Sequence, residues 1–220
     1  MKTNVSKIRK ISKNPLFAGL TDAEFTRALE MFSAVTAHYE KGEHLLLSGE
    51  PFSRFGIVSL GAISVYMDDI DGERMMMASV GVGDSFGESH AYLGTKESPV
   101  YILASQDTEV VWLSPSSLYG VMGDTLALRL RERFTALLAQ RALYQNERIQ
   151  ILSKPTIRAR LVAFLTQWEA KTKSKTFSVP FDRATLAVYL GVNRSALSRE
   201  LSAMKREGLV DFFKNTFKLH

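Results

Sequence analysis

The sequence predicts an α+β chain in three parts: an N-terminal antiparallel β-roll (a jelly roll), one long helix, and a C-terminal winged helix-turn-helix. Three observations predict it. Between residues 36 and 115, short apolar runs alternate with glycine-centred turns. Residues 124–152 then run without a proline or a glycine. Beyond Lys154-Pro155, two short helical patterns flank Gly191, and two strand-like runs close the chain.

The chain has 220 residues, 45% of them hydrophobic, enough for one large or two modest cores. No apolar run approaches the roughly 18 residues of a membrane span. The basic, polar start MKTNVSKIRKISKN lacks the apolar stretch of a secretory signal, so the expected compartment is the cytoplasm and no membrane partner is expected. Cysteine is absent, which excludes disulfides, thiolate-held clusters and thiol nucleophiles. His38, His44, His90 and His220 show no ligand spacing, and no metal or cofactor is expected. No grouping of nucleophile, base and metal ligand suggests an enzyme. Net charge is +5, unevenly placed. Residues 150–220 hold 13 of the 28 basic and 5 of the 23 acidic residues, a net +8 that leaves −3 for the rest. A basic end on a mildly acidic body suits contact between that end and a polyanion.

Residues 14–35 read as helical, with Thr21 as N-cap and Glu24 completing a capping box. The runs at 44–47, 55–59, 62–67, 74–80, 100–105 and 109–114 read as strands, with Asp71-Gly72 as a hairpin turn and Met75–Met77 as strand packing. Residues 124–152, capped by Asp124, would span about 43 Å, more than a small roll can cover. Leu130, Leu137, Tyr144 and Ile151 are seven apart, with Phe134 between the first two. That spacing predicts a homodimer seam, with Arg141 and Arg148 on or near it. The expected domains are 1–120, a β-roll with its N-terminal helix; 121–153, the dimerisation helix; and 154–220, the winged helix-turn-helix.

Within the last part, Asp182 caps a first helix, Gly191 makes the turn, and Asn193 caps a second helix that ends at Gly208. Place the second helix on a wheel with Arg194 at zero. Ser198, Ser202, Ser195 and Arg199 fall between about 40° and 140°, and Leu197, Leu201 and Met204 between about 280° and 340°. One face is apolar and the other carries arginines and short hydroxyls, which is the split a helix needs to read double-stranded DNA. Arg194, Ser195, Ser198 and Arg199 are the candidate base readers. Arg183, Asn193, Lys205 and Lys214 are candidate phosphate contacts, Lys214 in a wing formed by residues 209–213 and 216–220; Arg206 can add another.

The order of elements, together with GDSFGE (83–88) and LGVNRSALSREL (190–201), resembles the cyclic-AMP receptor protein/FNR (Crp/Fnr) family of transcription regulators over nearly the whole chain. The resemblance implies a cyclic-nucleotide-binding-like roll that senses an effector. It further implies transcription control through inverted-repeat operators, with RNA polymerase as a partner and activation as the family's common mode. It places an effector pocket at Gly87, Glu88, Ser89, Ser98, Pro99, Leu143 and Tyr144. Gly87-Glu88 matches the family's Gly-Glu. Ser98-Pro99 stands where cyclic-AMP binders carry the Arg-Ser that holds the phosphate, and Leu143-Tyr144 where they carry a hydroxyl pair against the adenine. A phosphate clamp is therefore missing, and the expected effector is an unidentified small molecule other than cyclic AMP. Arg194 and Arg199 match arginines that meet bases or phosphates in the family. Ser195 replaces a glutamate there, which changes the expected half-site. Arg183 and Asn193 align with phosphate contacts. The alternative is an effector-independent DNA-binding protein whose roll only dimerises.

Overall fold

The computed structural model describes residues 8–68 and 74–220, and the chain divides into two units, up to Arg141 and from Ala142 to His220. The division falls inside the long helix, where the expected boundary stood after residue 153, because the two ends of that helix bury their apolar faces in different cores.

The first unit opens with a 3-10 helix, Ile8–Lys13, and helix α1, Asp22–Met31. Thr21 and Glu24 form the predicted capping box. Strands β1 (Val35–Tyr39), β2 (His44–Leu46), β3 (Phe55–Leu60), β4 (Ala62–Asp68), β5 (Arg74–Gly81) and β6 (Ser85–Phe86) follow. Then come α2 (Glu88–Leu93), β7 (Tyr101–Ala104), β8 (Thr108–Leu113) and α3 (Pro115–Tyr119). The strands form two antiparallel four-stranded sheets, ordered β1-β8-β3-β6 and β2-β7-β4-β5. Asp71-Gly72 lies outside the described residues, but β4 and β5 pair on either side of it from Asp68↔Arg74 to Ala62↔Gly81.

Strand periodicity of two explains why this roll has two cores. Val58 of β3 and Val110 of β8 turn inward to meet Leu46, Ile63, Val80, Phe86 and Ile102. Phe55 and Ile57, with Val111 and Leu113, face the other way. There they meet Phe17, Phe25, Phe32 and the first half of helix α4, Thr125–Leu152. Phe134 of α4 lies 5.2 Å from the Phe55 ring, and the Asp124 carboxylate caps the helix start at Leu126 N (2.8 Å) and Ala127 N (3.1 Å).

Sequence reading named no strand at β1, whose first residue it gave to the preceding helical segment, and did not find α2 or α3. β1 sits at a sheet edge with an irregular exposure pattern, and α2 and α3 are too short for a period of 3.6 to register.

The second unit adds α5 (Ile157–Thr172), β9 (Thr176–Ser178), α6 (Arg183–Tyr189), α7 (Arg194–Arg206), β10 (Val210–Phe213) and β11 (Thr216–Leu219). The strands form one antiparallel sheet, β10-β11-β9. Ile151, Leu161, Phe164, Leu190, Leu197 and Leu201 are fully buried at its centre.

Candidate nucleic-acid interface

Local chemistry fixes both helices of the reading unit at their starts. The Asp182 side chain accepts from Thr185 N at 2.7 Å, and that backbone bond is the main reason its carboxyl sits below the usual range. Asn193 Oδ1 accepts from Ser195 N at 2.8 Å and from Ser195 Oγ at 2.7 Å. Asn193 is therefore a cap in this structure through its Oδ1, and a phosphate contact would fall to its Nδ2, the donor of the side chain. Gly191 takes φ +59 in the turn between the helices, a conformation side-chain-bearing residues rarely adopt.

Three arginines hold this unit together, of which sequence reasoning placed only Arg148, on or near the seam. Arg148, near the end of α4, donates to the carbonyls of Val188 and Tyr189 at 3.1 Å each. Arg160 of α5 donates to those of Leu190 (3.0 Å) and Gly191 (3.2 Å). Both act at the C-terminal end of α6, where the carbonyls carry the negative end of its dipole. Arg158 grips α7 through Glu200 (2.6 Å) and both oxygens of Glu207 (2.7 and 2.8 Å). These bonds hold Arg158 well above its ordinary pKa and Glu207 below its own. The signal available in sequence was the arginine content of α5; its targets were not, because they are carbonyls and carboxylates supplied by other elements.

With α7 held this way, Leu197, Leu201 and Met204 are buried, and Arg194, Ser195, Arg199 and Ser202 are exposed. Ser198 is half-buried and donates to the Arg194 carbonyl at 3.0 Å, which turns its hydroxyl back onto the helix. Arg199 has no carboxylate partner among the described residues. Lys205 pairs with Asp211 at 3.2 Å, and its ammonium lies 5.4 Å from the centre of the Phe212 ring. Arg183 stacks at 5.0 Å on that same ring and at 5.8 Å on Phe217, and donates to the Lys214 carbonyl at 3.3 Å. Burial there lowers its pKa. Lys214 stands at the hairpin tip with φ +52, and Arg206 is exposed at the end of α7. Arg183 of α6 and Lys205 of α7 thus share the Phe212 ring, with Lys214 on the adjoining Phe213, a surface suited to phosphate oxygens.

The expected pocket residues behave differently. Gly87 has φ +78 and a Cβ there would fall 2.2 Å from Phe52 Cζ. Glu88 is buried and accepts from Ser85 Oγ at 2.5 Å and from Arg141 Nη2 at 3.2 Å, while the same Arg141 nitrogen donates to the Ser85 carbonyl at 2.6 Å. Ser98 is buried and its hydroxyl closes on Val100, donating to its carbonyl at 2.8 Å. Ser89 and Pro99 are exposed. Leu143 and Tyr144 belong to the second unit: Leu143 is 64% exposed, and the Tyr144 ring lies 5.8 Å from that of Tyr189.

The expected seam needs correction. Leu130 and Phe134 have no exposed surface, Leu137 has 6%, and all three belong to the first unit's core. Ile151 is fully buried in the second unit, and Tyr144 packs on Tyr189. Leu130, Phe134, Leu137 and Ile151 are consumed within their own chain, while Tyr144 keeps 36% of its surface exposed. Arg141 and Arg148 are engaged by Glu88 and by the α6 carbonyls. Seven-residue spacing identifies a stripe on a helix but not what covers it.

No group of three or more His, Asp or Glu able to hold a metal ion occurs among the described residues, and none of the helices searched is long and apolar enough to cross a membrane.

An antiparallel roll, a long helix and a helix-turn-helix with a wing define a DNA-binding regulator. Comparison with known proteins gives the family. Residues 36–124 match the cyclic nucleotide-binding domain and residues 159–220 the Crp-like helix-turn-helix domain. The cyclic AMP receptor protein of Thermus thermophilus is 27% identical over 202 residues, covering 90% of this chain and 88% of that protein. Electron transport regulator A of Shewanella oneidensis is 24% identical over 177 residues, covering 78% and 69%. The solved structure of FixK2 from Bradyrhizobium japonicum superposes with a TM-score of 0.58 at 25% identity, over 85% of this chain and 92% of that one. The chain belongs to the Crp/Fnr family of transcription regulators.

Proposed function

We propose that this protein acts in the cytoplasm as a homodimer that binds inverted-repeat operators and regulates transcription through RNA polymerase. The observation that carries this reading is the exposed face of α7, where Arg194, Ser195 and Arg199 stand clear of the core. Two copies related by a two-fold axis present two such faces, which suits half-sites about one helical turn apart. The seam we assign is the other face of α4. Leu128, Thr135, Ala142 and Ile149 are seven apart, with Glu132, Ala139 and Asn146 between them, and all seven are exposed. Asn146 at a core position of such a seam would set its register. Selection of bound duplexes from random DNA, with and without cell extract, tests the reading. An enriched inverted repeat supports it; salt-dependent binding with no enriched repeat overturns it.

The effector is not cyclic AMP in this reading. The carboxylate that the family's turn offers to a ligand is taken by the chain's own Arg141, and Ser98-Pro99 supplies no guanidinium. Calorimetry with about 100 μM cyclic AMP should give no binding heat; micromolar affinity coupled to tighter DNA binding overturns it. The same internal ion pair favours the second reading, in which DNA binding needs no effector, and an operator affinity unchanged by cell extract would support that version.

A further inference from the structure

Phe213 stands at the tip of the β10–β11 hairpin with 74% of its surface exposed. Strand alternation turns Val210 and Phe212 toward the core, and Asp211 and Phe213 outward. The surroundings of Phe213 are cationic. The Lys214 ammonium lies 5.6 Å from the centre of its ring, and Lys218 is exposed on the partner strand. The one nearby carboxylate on β10, Asp211, is engaged by Lys205 and His220. An exposed ring among cations fits a partner that is anionic outside and apolar within, as a DNA groove is. Its position agrees. Phe212, the neighbour of Phe213, carries Lys205 of α7 and Arg183 of α6 on its ring, so the hairpin is fixed beside the face that α7 exposes.

We propose that Phe213 enters the minor groove flanking each half-site as an apolar wedge, partly unstacking one base step, with Lys214 on the adjoining phosphate. This rests on the DNA-reading role of α7. A wedge meets least resistance at a flexible pyrimidine–purine step, so it supplies sequence preference at a position that α7 does not touch.

The test uses the full chain and duplexes recovered from a random-sequence pool by the unaltered protein. It compares Phe213→Ala, Phe213→Trp and Lys214→Ala by affinity, salt dependence and DNA bending measured by end-to-end energy transfer. Phe213→Ala should weaken binding roughly tenfold, reduce the bend and abolish enrichment of the flanking pyrimidine–purine step, with the salt slope unchanged. Phe213→Trp should retain affinity and bend. Lys214→Ala should flatten the salt slope by about one unit per half-site and keep the bend. An exposed site makes unchanged thermal unfolding the expected control. If Phe213→Ala keeps the affinity, the bend and the flanking preference, the wedge is wrong while the α7 reading stands. If the unaltered protein enriches no duplex, both fall.

Discussion

At the scale of the residue, Arg199 and Arg183 are two arginines in different surroundings. Arg199 is exposed with no carboxylate partner among the described residues, whereas Arg183 is half-buried on two phenylalanine rings and tied to the wing carbonyl of Lys214. Replacing Arg199 with Ala should cost about 1–3 kcal/mol per half-site and relax preference at one base pair, as read by binding-site selection. An unchanged motif would remove Arg199 from base reading. Replacing Arg183 should weaken all sequences alike, and it should also lower the thermal stability of the second unit, because the guanidinium is a packing element there. Glu88 and Arg141 form the other pair of note. Arg141→Ala leaves a buried carboxylate with only Ser85 for a partner among the bonds now seen. It should destabilise the first unit by about 2–3 kcal/mol, less than for a fully buried pair since Arg141 is partly exposed. Glu88→Gln should cost less, because an amide oxygen can still accept from Arg141. Denaturant unfolding of the two variants checks the order.

At the scale of the element, α4 carries two stripes with different tasks. Leu137→Asp would bury a charge in the first unit's core and should lower its unfolding temperature, a loss of about 3–5 kcal/mol. Ala142→Glu, on the exposed stripe, would place like charges opposite each other across a two-fold seam. It should weaken dimerisation by about 2–3 kcal/mol and leave the fold intact. Sedimentation and thermal unfolding on both variants separate the two effects; a monomeric Leu137→Asp with unaltered unfolding would restore the original seam. Helix starts give a pH prediction. The Thr21 backbone bond, with Arg129, holds Glu24 at a pKa of about 2, and Asp182 is also lowered. A lowered folded-state pKa means that the stabilisation is present above the unfolded value, near 4, and fades as pH falls through the folded one. The second unit should therefore lose stability in acid below about pH 4, and Asp182→Asn, which preserves the capping oxygen, should blunt that loss. These starts were readable in advance because a cap is a contact between residues two or three apart. The edge strand β1 was not, since its residues alternate too weakly to mark a face before β8 is in place.

At the scale of the whole molecule, the charge asymmetry should govern binding. With +8 on residues 150–220 and −3 elsewhere, affinity for random duplex DNA should fall steeply with salt, and a fragment lacking the C-terminal unit should show none of it. Affinity that is flat in salt would count against this. By itself the sequence determined the α+β order of parts, the polar and apolar faces of α7, the turn at Gly191, the wing, and the family. All of these rest on local spacing, on short-range hydrogen bonds, or on a motif confined to a dozen residues. Only the tertiary structure decided where side chains from distant elements end up. It took Leu130, Phe134, Leu137 and Ile151 out of the seam, delivered Arg141 to Glu88, and set Arg183 and Lys205 on one phenylalanine. A periodic pattern tells which residues share a face. The element that covers that face is chosen by packing among segments far apart in the chain, and no spacing within a single segment records it.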